Sequence, residues 1–406
     1  MDEEDFVDIT LIGNYPHDEH ESMTRYAEML KKLLAESGCH VEIIRPEPFL
    51  GRLKRSSRGL GKWLGYIDKY ILFPISLRTY VRQRRRALKL VTSGSKEETF
   101  LVHICDQSNA VYTRWLNDVP HLVTCHDVMA IQSARGLIPG LKTGWTGQLL
   151  QGWIFSGLRN AAYIICDTRE TRQDLLALAP ELESRSTTIE IPLNYPYVPM
   201  PKDQAIAQLS TLDDTFKPGT DQFLFHVGGN QWYKNREGVI HVYARLCSTF
   251  PDLVRSHSLK LVLAGKPPTS AMQRLVEEEK LSGKVVLLTS VSDQQLCALY
   301  SLAEVLVYPS LKEGFGWPII EAQACGCPVV TSDRPPMNRL AGPAALLADP
   351  EDTSSFVARV AQLLSEEPML QQKRKDEALS HSGNFDGKLF LKQMLVKYKA
   401  ILVQKN

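Results

Sequence analysis

Nowhere in its 406 residues does this chain hold an apolar run close to the roughly 18 residues that a bilayer-crossing helix needs. Its first residues, MDEEDFVD, are acidic and lack the basic-then-apolar order of a secretory leader. Both absences point to a protein of the cytoplasm or of a membrane face. Eight cysteines are present, none at zinc-type spacing, and Cys105, Cys125 and Cys166 close apolar runs of the buried-strand kind, as free thiols in a reducing compartment do. The Cys325-x-Cys327 pair lies where helix-to-strand packing needs small residues. Neither half shows Asp-x-Asp at the end of an apolar run to grip a divalent ion, so no metal is expected. The loop His17, Asp18, Glu19, His20, Glu21 brings no further ligand, and its acids suit a helix start. A repeat of short period is also missing.

What is present fits two globular domains, with 44% hydrophobic and 23% charged residues. Net charge is only +1, yet Arg52 to Lys89 holds twelve Lys/Arg against Asp68 alone, which leaves the rest of the chain at −10. Within that stretch Trp63, Tyr66, Tyr70, Phe73 and neighbouring aliphatics alternate with cations such as Arg84, Arg85 and Arg86. Two readings fit: a solvated helix face over ordinary core residues, or an interfacial amphipathic segment on an anionic membrane.

Taken in order, Phe6 to Ile12, a polar loop, the helical stretch MTRYAEMLKKLLAESG and HVEII form a strand, loop, helix, strand unit, the opening of a doubly wound sheet. Strand-like runs recur at FLVHIC, HLVTCHD and AYIICDT, each ending in polar residues, where open parallel sheets hold their ligands. His126 and Asp127 sit at such an end. From Ile191 to Gln222 the chain is Pro-rich and then polar, the expected interdomain linker. FLFHVGG, LKLVLAG, KVVLLTS and EVLVYPS then supply a second set of buried strands, and NFDGKLFLKQMLVKYKAIL closes the chain as a helix. The expected α/β domains are 1–198 and 199–382, followed by a terminal helix, 383–406.

The stretch KEGFGWPIIEA, Lys312 to Ala322, lies between EVLVYPS and CPVVTSD and reads as a tight loop entering a helix near Pro318. Gly314 and Gly316 let the backbone turn sharply, and the free amides of a helix start favour phosphate. Glu313 and Glu321, in the loop and the first helical turn, stand eight positions apart, so they can border one pocket and accept hydrogen bonds from sugar hydroxyls. A plain helix cap and an ordinary turn would use the same residues. A second glycine loop, VGGNQWYKN, places Lys234 and Asn235 after a strand. By itself such a lysine is usually solvated.

These two loops resemble the signatures of the family-four retaining glycosyltransferases: two glutamates separated by seven residues within EGFGxPxxEA, and a glycine loop ending in Lys-Asn. The resemblance implies two Rossmann-like domains facing each other across a cleft, the GT-B fold, with the terminal helix crossing back to the first domain. It implies a metal-independent glycosyl transfer with retention, from a UDP- or GDP-linked sugar and without a cofactor. By the same resemblance Glu321 holds the ribose, Glu313 the donor sugar, Gly314, Phe315 and Gly316 the phosphates, and Leu288 lies near the base. Gly228, Gly229, Asn230, Lys234 and Asn235 line the diphosphate, and His126 the sugar and acceptor side. At the position where the family carries arginine this chain has Gly229, so Asn230, Arg236 or backbone amides must substitute. The acceptor is expected to be a saccharide or lipid-linked, on the inner face of a membrane met by Trp63 and Arg84 to Arg86. The alternatives are an epimerase or phosphorylase on the same architecture, or a nucleic-acid binder; the last needs a cationic groove with stacking aromatics, so no nucleic acid is expected.

Overall fold

The computed structural model describes residues 7–18, 21–53, 59–91, 100–210, 212–213 and 216–404. The chain divides into two compact units: one runs to Asn194 and takes in Gly387–Asn406, the other is Tyr195–Asp386.

The first unit is built on six parallel strands, β1 (Asp8–Ile12), β2 (His40–Ile44), β3 (Phe100–Ile104), β4 (His121–Cys125), β5 (Tyr163–Cys166) and β6 (Ser186–Thr188). Their order is β2-β1-β3-β4-β5-β6. The second unit repeats the plan with β7 (Phe223–Gly228), β8 (Lys260–Gly265), β9 (Val285–Leu288), β10 (Val305–Tyr308), β11 (Val329–Ser332) and β12 (Leu346–Ala348), in the order β12-β11-β10-β7-β8-β9. Helices link the strands, so both faces of each sheet are covered and the central strands are buried on both sides, mostly apolar but with a few polar side chains such as His103 and Thr124. Every residue of β1, β3, β4 and β10 is buried. The short edge strands β6 and β12 carry no such run and were not anticipated.

Direction reverses between β1 and β3 in one sheet and between β7 and β10 in the other. At such a reversal the connections leave on opposite sides, and a crevice opens beyond the carboxyl ends. Both glycine loops of the sequence belong to the second crevice.

Two local features depart from expectation. The supposed linker Ile191–Gln222 is largely packed: Tyr197 sits edge-on to Tyr300, the helix Lys202–Leu209 lies on the helix Asp293–Leu302, and Phe216 is buried against Phe223. The basic stretch is a helix Gly59–Ile67, a π turn Asp68–Leu72 and a helix Phe73–Val91, with the Phe73 N–H bonded to the Asp68 carbonyl. That turn directs Asp68 and Lys69 inward. Asp68 accepts the Tyr15 hydroxyl and the amides of Leu50 and Gly51, while Lys69 is paired with Asp18 at 2.8 Å.

The terminal helix Gly387–Gln404 belongs to the first unit through a buried chain of polar groups. The Tyr398 hydroxyl lies 2.7 Å from His103 Nδ1, His103 Nε2 lies 2.7 Å from the Thr124 hydroxyl, and that hydroxyl lies 2.9 Å from Tyr26. Burial, and then the charge on His126, lower the His103 pKa to about 3, so the ring is neutral, one nitrogen donating and the other accepting. Tyr398→Phe leaves one of them without its partner in a dry site and should cost about 1–3 kcal/mol. Urea unfolding followed by near-ultraviolet dichroism reads this directly; an unchanged midpoint would disprove the coupling.

Candidate active site

The loop after β7 and the loop after β10 meet at the second crevice. Lys234, at the end of a short 3-10 turn (Trp232–Lys234), places Nζ 2.9 and 2.8 Å from the two carboxylate oxygens of Glu313. The Tyr308 hydroxyl, at the end of β10, donates to the same carboxylate at 2.6 Å. Tyr308 is fully buried and Glu313 nearly so, while the Lys234 side chain is 19% exposed, so the pair is screened by water from the lysine side only. Burial and the adjacent carboxylate hold the Tyr308 pKa well above its ordinary value, so the phenol stays a donor. Beneath it His226 donates from Nδ1 to the Val307 carbonyl, and its ring is stacked on Tyr308. Burial, with Arg236 and Lys234 nearby, lowers the His226 pKa to about 3.

Asn235 adopts a left-handed conformation (φ 52°) and its amide donates to the carbonyls of Pro309 and Pro350, tying the Lys234 loop to the loops after β10 and β12. The sequence pattern assigned Asn235 to the ligand; its side chain serves the loop. At Gly229, a Cβ would lie 2.3 Å from the Gln231 amide oxygen. The Gln231 carboxamide thus occupies the space that a longer side chain at 229 would take. Arg236 is buried at the start of the helix Arg236–Thr249, donating to the Asn230 side chain and the Lys266 carbonyl, while Asn230 donates to the Pro267 carbonyl. Both named substitutes are therefore joined to the neighbouring loop.

The motif helix runs Trp317–Ala324, with Pro318 in its first turn and Gly316 at the cap. Gly316 has φ +125°, a conformation open to glycine and costly to other residues. Phe315 is buried and packs edge-on against Trp317 and Phe385, so only its backbone faces the loop. Glu321 lies in the second helical turn, which corrects its placement in the first, where it could have acted as a cap. It is buried and accepts the Tyr300 hydroxyl at 2.8 Å. Leu288 ends β9, two strands from β7, with its side chain in the core. Among the described residues no three His, Cys, Asp or Glu side chains form a metal-binding group. Glu19 and His20 lie outside those residues.

In the first unit His126 follows β4. Its Nδ1 is 2.5 Å from Asp167 Oδ2, its Nε2 is 2.8 Å from the Cys105 carbonyl, and the Tyr26 ring stands edge-on against it. With an acceptor on each nitrogen the ring carries both protons. Burial alone would lower its pKa, but the charge and hydrogen bond of Asp167 outweigh that and raise it to about 9. His126 is thus a fixed cation whose two nitrogens are occupied, and the proposed contact with sugar or acceptor does not come from a free ring nitrogen. Asp167 was missed in the sequence, although it is the polar end of the run AYIICDT.

The basic segment separates into two classes. Arg84 bonds Asp8 through Nε at 3.2 Å and through Nη2 at 2.5 Å, and Arg85 donates to the Asp118 carbonyl, so neither is a free surface cation. Phe73 is core, packed on Tyr112. Arg52, Lys62, Arg78, Arg82 and Arg86 are exposed, as is Trp63. Lys54, Arg55 and Arg58 lie outside the described residues. Among the described residues no helix is long and apolar enough to cross a membrane.

Comparison with known proteins bears on these features. Solved structures share the fold over nearly the whole chain. Sucrose-phosphate synthase from Thermosynechococcus elongatus gives a TM-score of 0.71 at 18% identity, covering 98% of this chain and 100% of that one. Anabaena HepE in complex with UDP and glucose gives 0.69 at 14% identity, covering 97% and 100%. The fold is that of the GT-B glycosyltransferases. Residues 210–379, all within the second unit, match the family model for glycosyl transferases group 1. Among curated relatives, O-antigen chain mannosyltransferase B of Escherichia coli is 28% identical over 216 residues, 53% of this chain and 54% of that protein. O-antigen chain mannosyltransferase RfbU of Salmonella typhimurium is 33% identical over 144 residues, 36% of this chain and 39% of that protein. The match thus spans about half or less of these relatives' length.

The His126 pair makes stability pH-dependent. Its folded pKa, about 9, lies above the ordinary 6.5, so the stabilisation is fully present below about pH 6.5 and is lost as pH rises through about 9. The gap in melting temperature between wild type and His126→Gln should therefore be widest at the acid end of that window and narrow toward its alkaline end. Parallel curves would show that the imidazolium is not held by Asp167.

Proposed function

We propose that this protein is a retaining, metal-independent glycosyltransferase that moves a sugar from a UDP- or GDP-linked donor to a saccharide or lipid-linked acceptor, and needs no cofactor. The observation that carries the reading is the Lys234–Glu313–Tyr308 cluster at the reversal point of the second sheet, beside the glycine turn that opens the motif helix. The match of residues 210–379 to the glycosyl transferases group 1 model and the names of the relatives support it.

In this reading the donor diphosphate lies over the amides of Gly314 to Gly316 and the start of the motif helix. Lys234 has three N–H donors, and turning one toward the departing oxygen places positive charge where negative charge develops. The bond from the anomeric carbon to phosphate breaks, a bond to the acceptor oxygen forms on the same face, and the acceptor's proton leaves with the diphosphate. Glu313, fixed by Tyr308 and Lys234, orients the donor sugar, and Glu321, fixed by Tyr300, accepts from the ribose hydroxyls. At neutral pH His126 supplies a positive charge, paired with Asp167, to the acceptor side rather than a base.

Lys234→Ala should lower turnover by roughly 10²- to 10³-fold, the effect of removing one preorganised charge-stabilising group. Donor hydrolysis and transfer assays with a panel of nucleotide-sugars test it, and full activity in this variant would reject the site. Glu321→Gln should act mainly on the Michaelis constant for donor, because a ribose contact is present in ground and transition states alike, while Glu313→Gln acts on turnover. Wild-type kinetics in both would remove the assignment of the two glutamates.

A further inference from the structure

We propose that the helix Trp145–Asn160 joins the basic helical segment Gly59–Val91 in one lipid-contacting face, and that its partner is an anionic membrane surface. The inference deepens the proposed function by naming where the acceptor's membrane would be met; it depends on that reading for its biological use, not for its geometry.

A ladder of rings connects the two helices. Trp63 stands 5.7 Å from Tyr66, Tyr66 5.5 Å from Tyr70, and Tyr70 5.6 Å from Trp153 of the other helix. Four and eight residues before Trp153, one and two turns along the same side, come Leu149 and Trp145, exposed at 66% and 71%. At the other end Trp63 is 57% exposed, and Ile71 and Ile75 follow at 56% and 62%. The Tyr70–Trp153 contact joins two segments that each hold large apolar side chains in water, and together these supply the apolar part of one face.

Charge identifies the partner. The helix Trp145–Asn160 contains no acidic residue, and the segment Gly59–Val91 contains only Asp68, which is buried. Cations flank the ladder instead: Lys62 lies over the Tyr66 ring at 5.5 Å and Arg114 over the Trp153 ring at 5.7 Å, while Arg78, Arg82 and Arg86 are exposed on the same segment. A protein interface ordinarily mixes both signs at its rim; here the exposed acids that meet the two segments, Glu42 and Glu181, are bonded to Tyr80 and Arg159, and an apolar stripe bordered mainly by cations matches anionic headgroups over acyl chains. Each Lys or Arg near such a surface adds attraction, and the aromatic and aliphatic side chains add buried area. A saccharide platform would need open rings beside hydroxyl-bonding groups, but Tyr66 and Tyr70 are half-buried, with Lys69 over both.

The test is cosedimentation of the full chain with vesicles of phosphatidylcholine alone and of phosphatidylcholine with an equal part of phosphatidylglycerol. Binding should require phosphatidylglycerol and weaken in high salt. The double variant Trp145→Ser, Leu149→Ser should bind about tenfold more weakly, as should Trp63→Ser, since each removes exposed side chains that lipid would bury. Brominated phosphatidylglycerol should quench tryptophan emission less in Trp145→Phe, a variant that keeps an apolar ring. The proposal is overturned by equal binding to both vesicle types, by no binding, by a double variant that binds like wild type, or by light scattering that shows wild-type dimers dissociating in the double variant without lipid. Thermal shift with UDP and GDP on the same samples separates the two ideas: lipid binding without any nucleotide shift defeats the donor reading alone, and a nucleotide shift without lipid binding defeats this face alone.

Discussion

An ammonium and a carboxylate held together at the inner edge of a crevice, the Glu313 side chain 6% exposed and that of Lys234 19%, set the terms for the rest of the second unit. Taking Lys234 and Glu313 out of solvent is unfavourable for each alone, and their mutual attraction offsets that cost only when the geometry is good and the remaining lone pairs are used. Tyr308 uses one of them, at 2.6 Å. The left-handed Asn235, bonded to two prolyl carbonyls, keeps the Lys234 loop against the strand end. Losing either partner would leave an isolated charge inside, so the two glycine loops are energetically one unit.

The two carboxylates of the motif are held alike but from different elements. Glu313 is fixed from the strand β10 and Glu321 from the helix Asp293–Leu302, in both instances by a fully buried tyrosine hydroxyl. Phenols suit this task, because burial and the neighbouring negative charge raise their pKa and keep the proton on oxygen. A side chain that is mostly hydrocarbon thus fills the core and delivers one donor at its rim. The first unit uses another solution: an imidazolium clamped between a carboxylate and a backbone carbonyl.

Much of the fold was legible because strands covered on both faces read as continuous apolar runs. The strands at β1, β3, β4, β7 and β10 could be found that way, and the glycine loops could be placed after them. What escaped has physical reasons. Tyr300 and Tyr308 lie inside apolar stretches, where a tyrosine is indistinguishable from core. Asp167 is a strand-end acid whose partner is 41 residues away in the chain. The edge strands of three residues lack a periodic signal. Arg84 looked like one more surface cation of a basic run; only the pairing of its helix with β1 shows that Asp8 claims it. Pro318 suggested a helix start there and so a first-turn Glu321, whereas the helix starts one residue earlier, at Trp317, and Glu321 opens its second turn.

The π turn at Asp68–Leu72 has a consequence for how the exposed face is built. A π turn holds one residue more than the α-helical ladder around it, so the faces of Phe73–Val91 are rotated by about one residue, roughly 100°, relative to Gly59–Ile67. Side chains that a single α-helical wheel would line up are thereby distributed: Phe73 turns to the core, while Ile71 and Ile75 stay in water. The segment therefore behaves like two short blades keyed at an angle, with the buried Asp68 and Lys69 as the key. Its outward pattern is set by that one surplus residue more than by the order of cations along it.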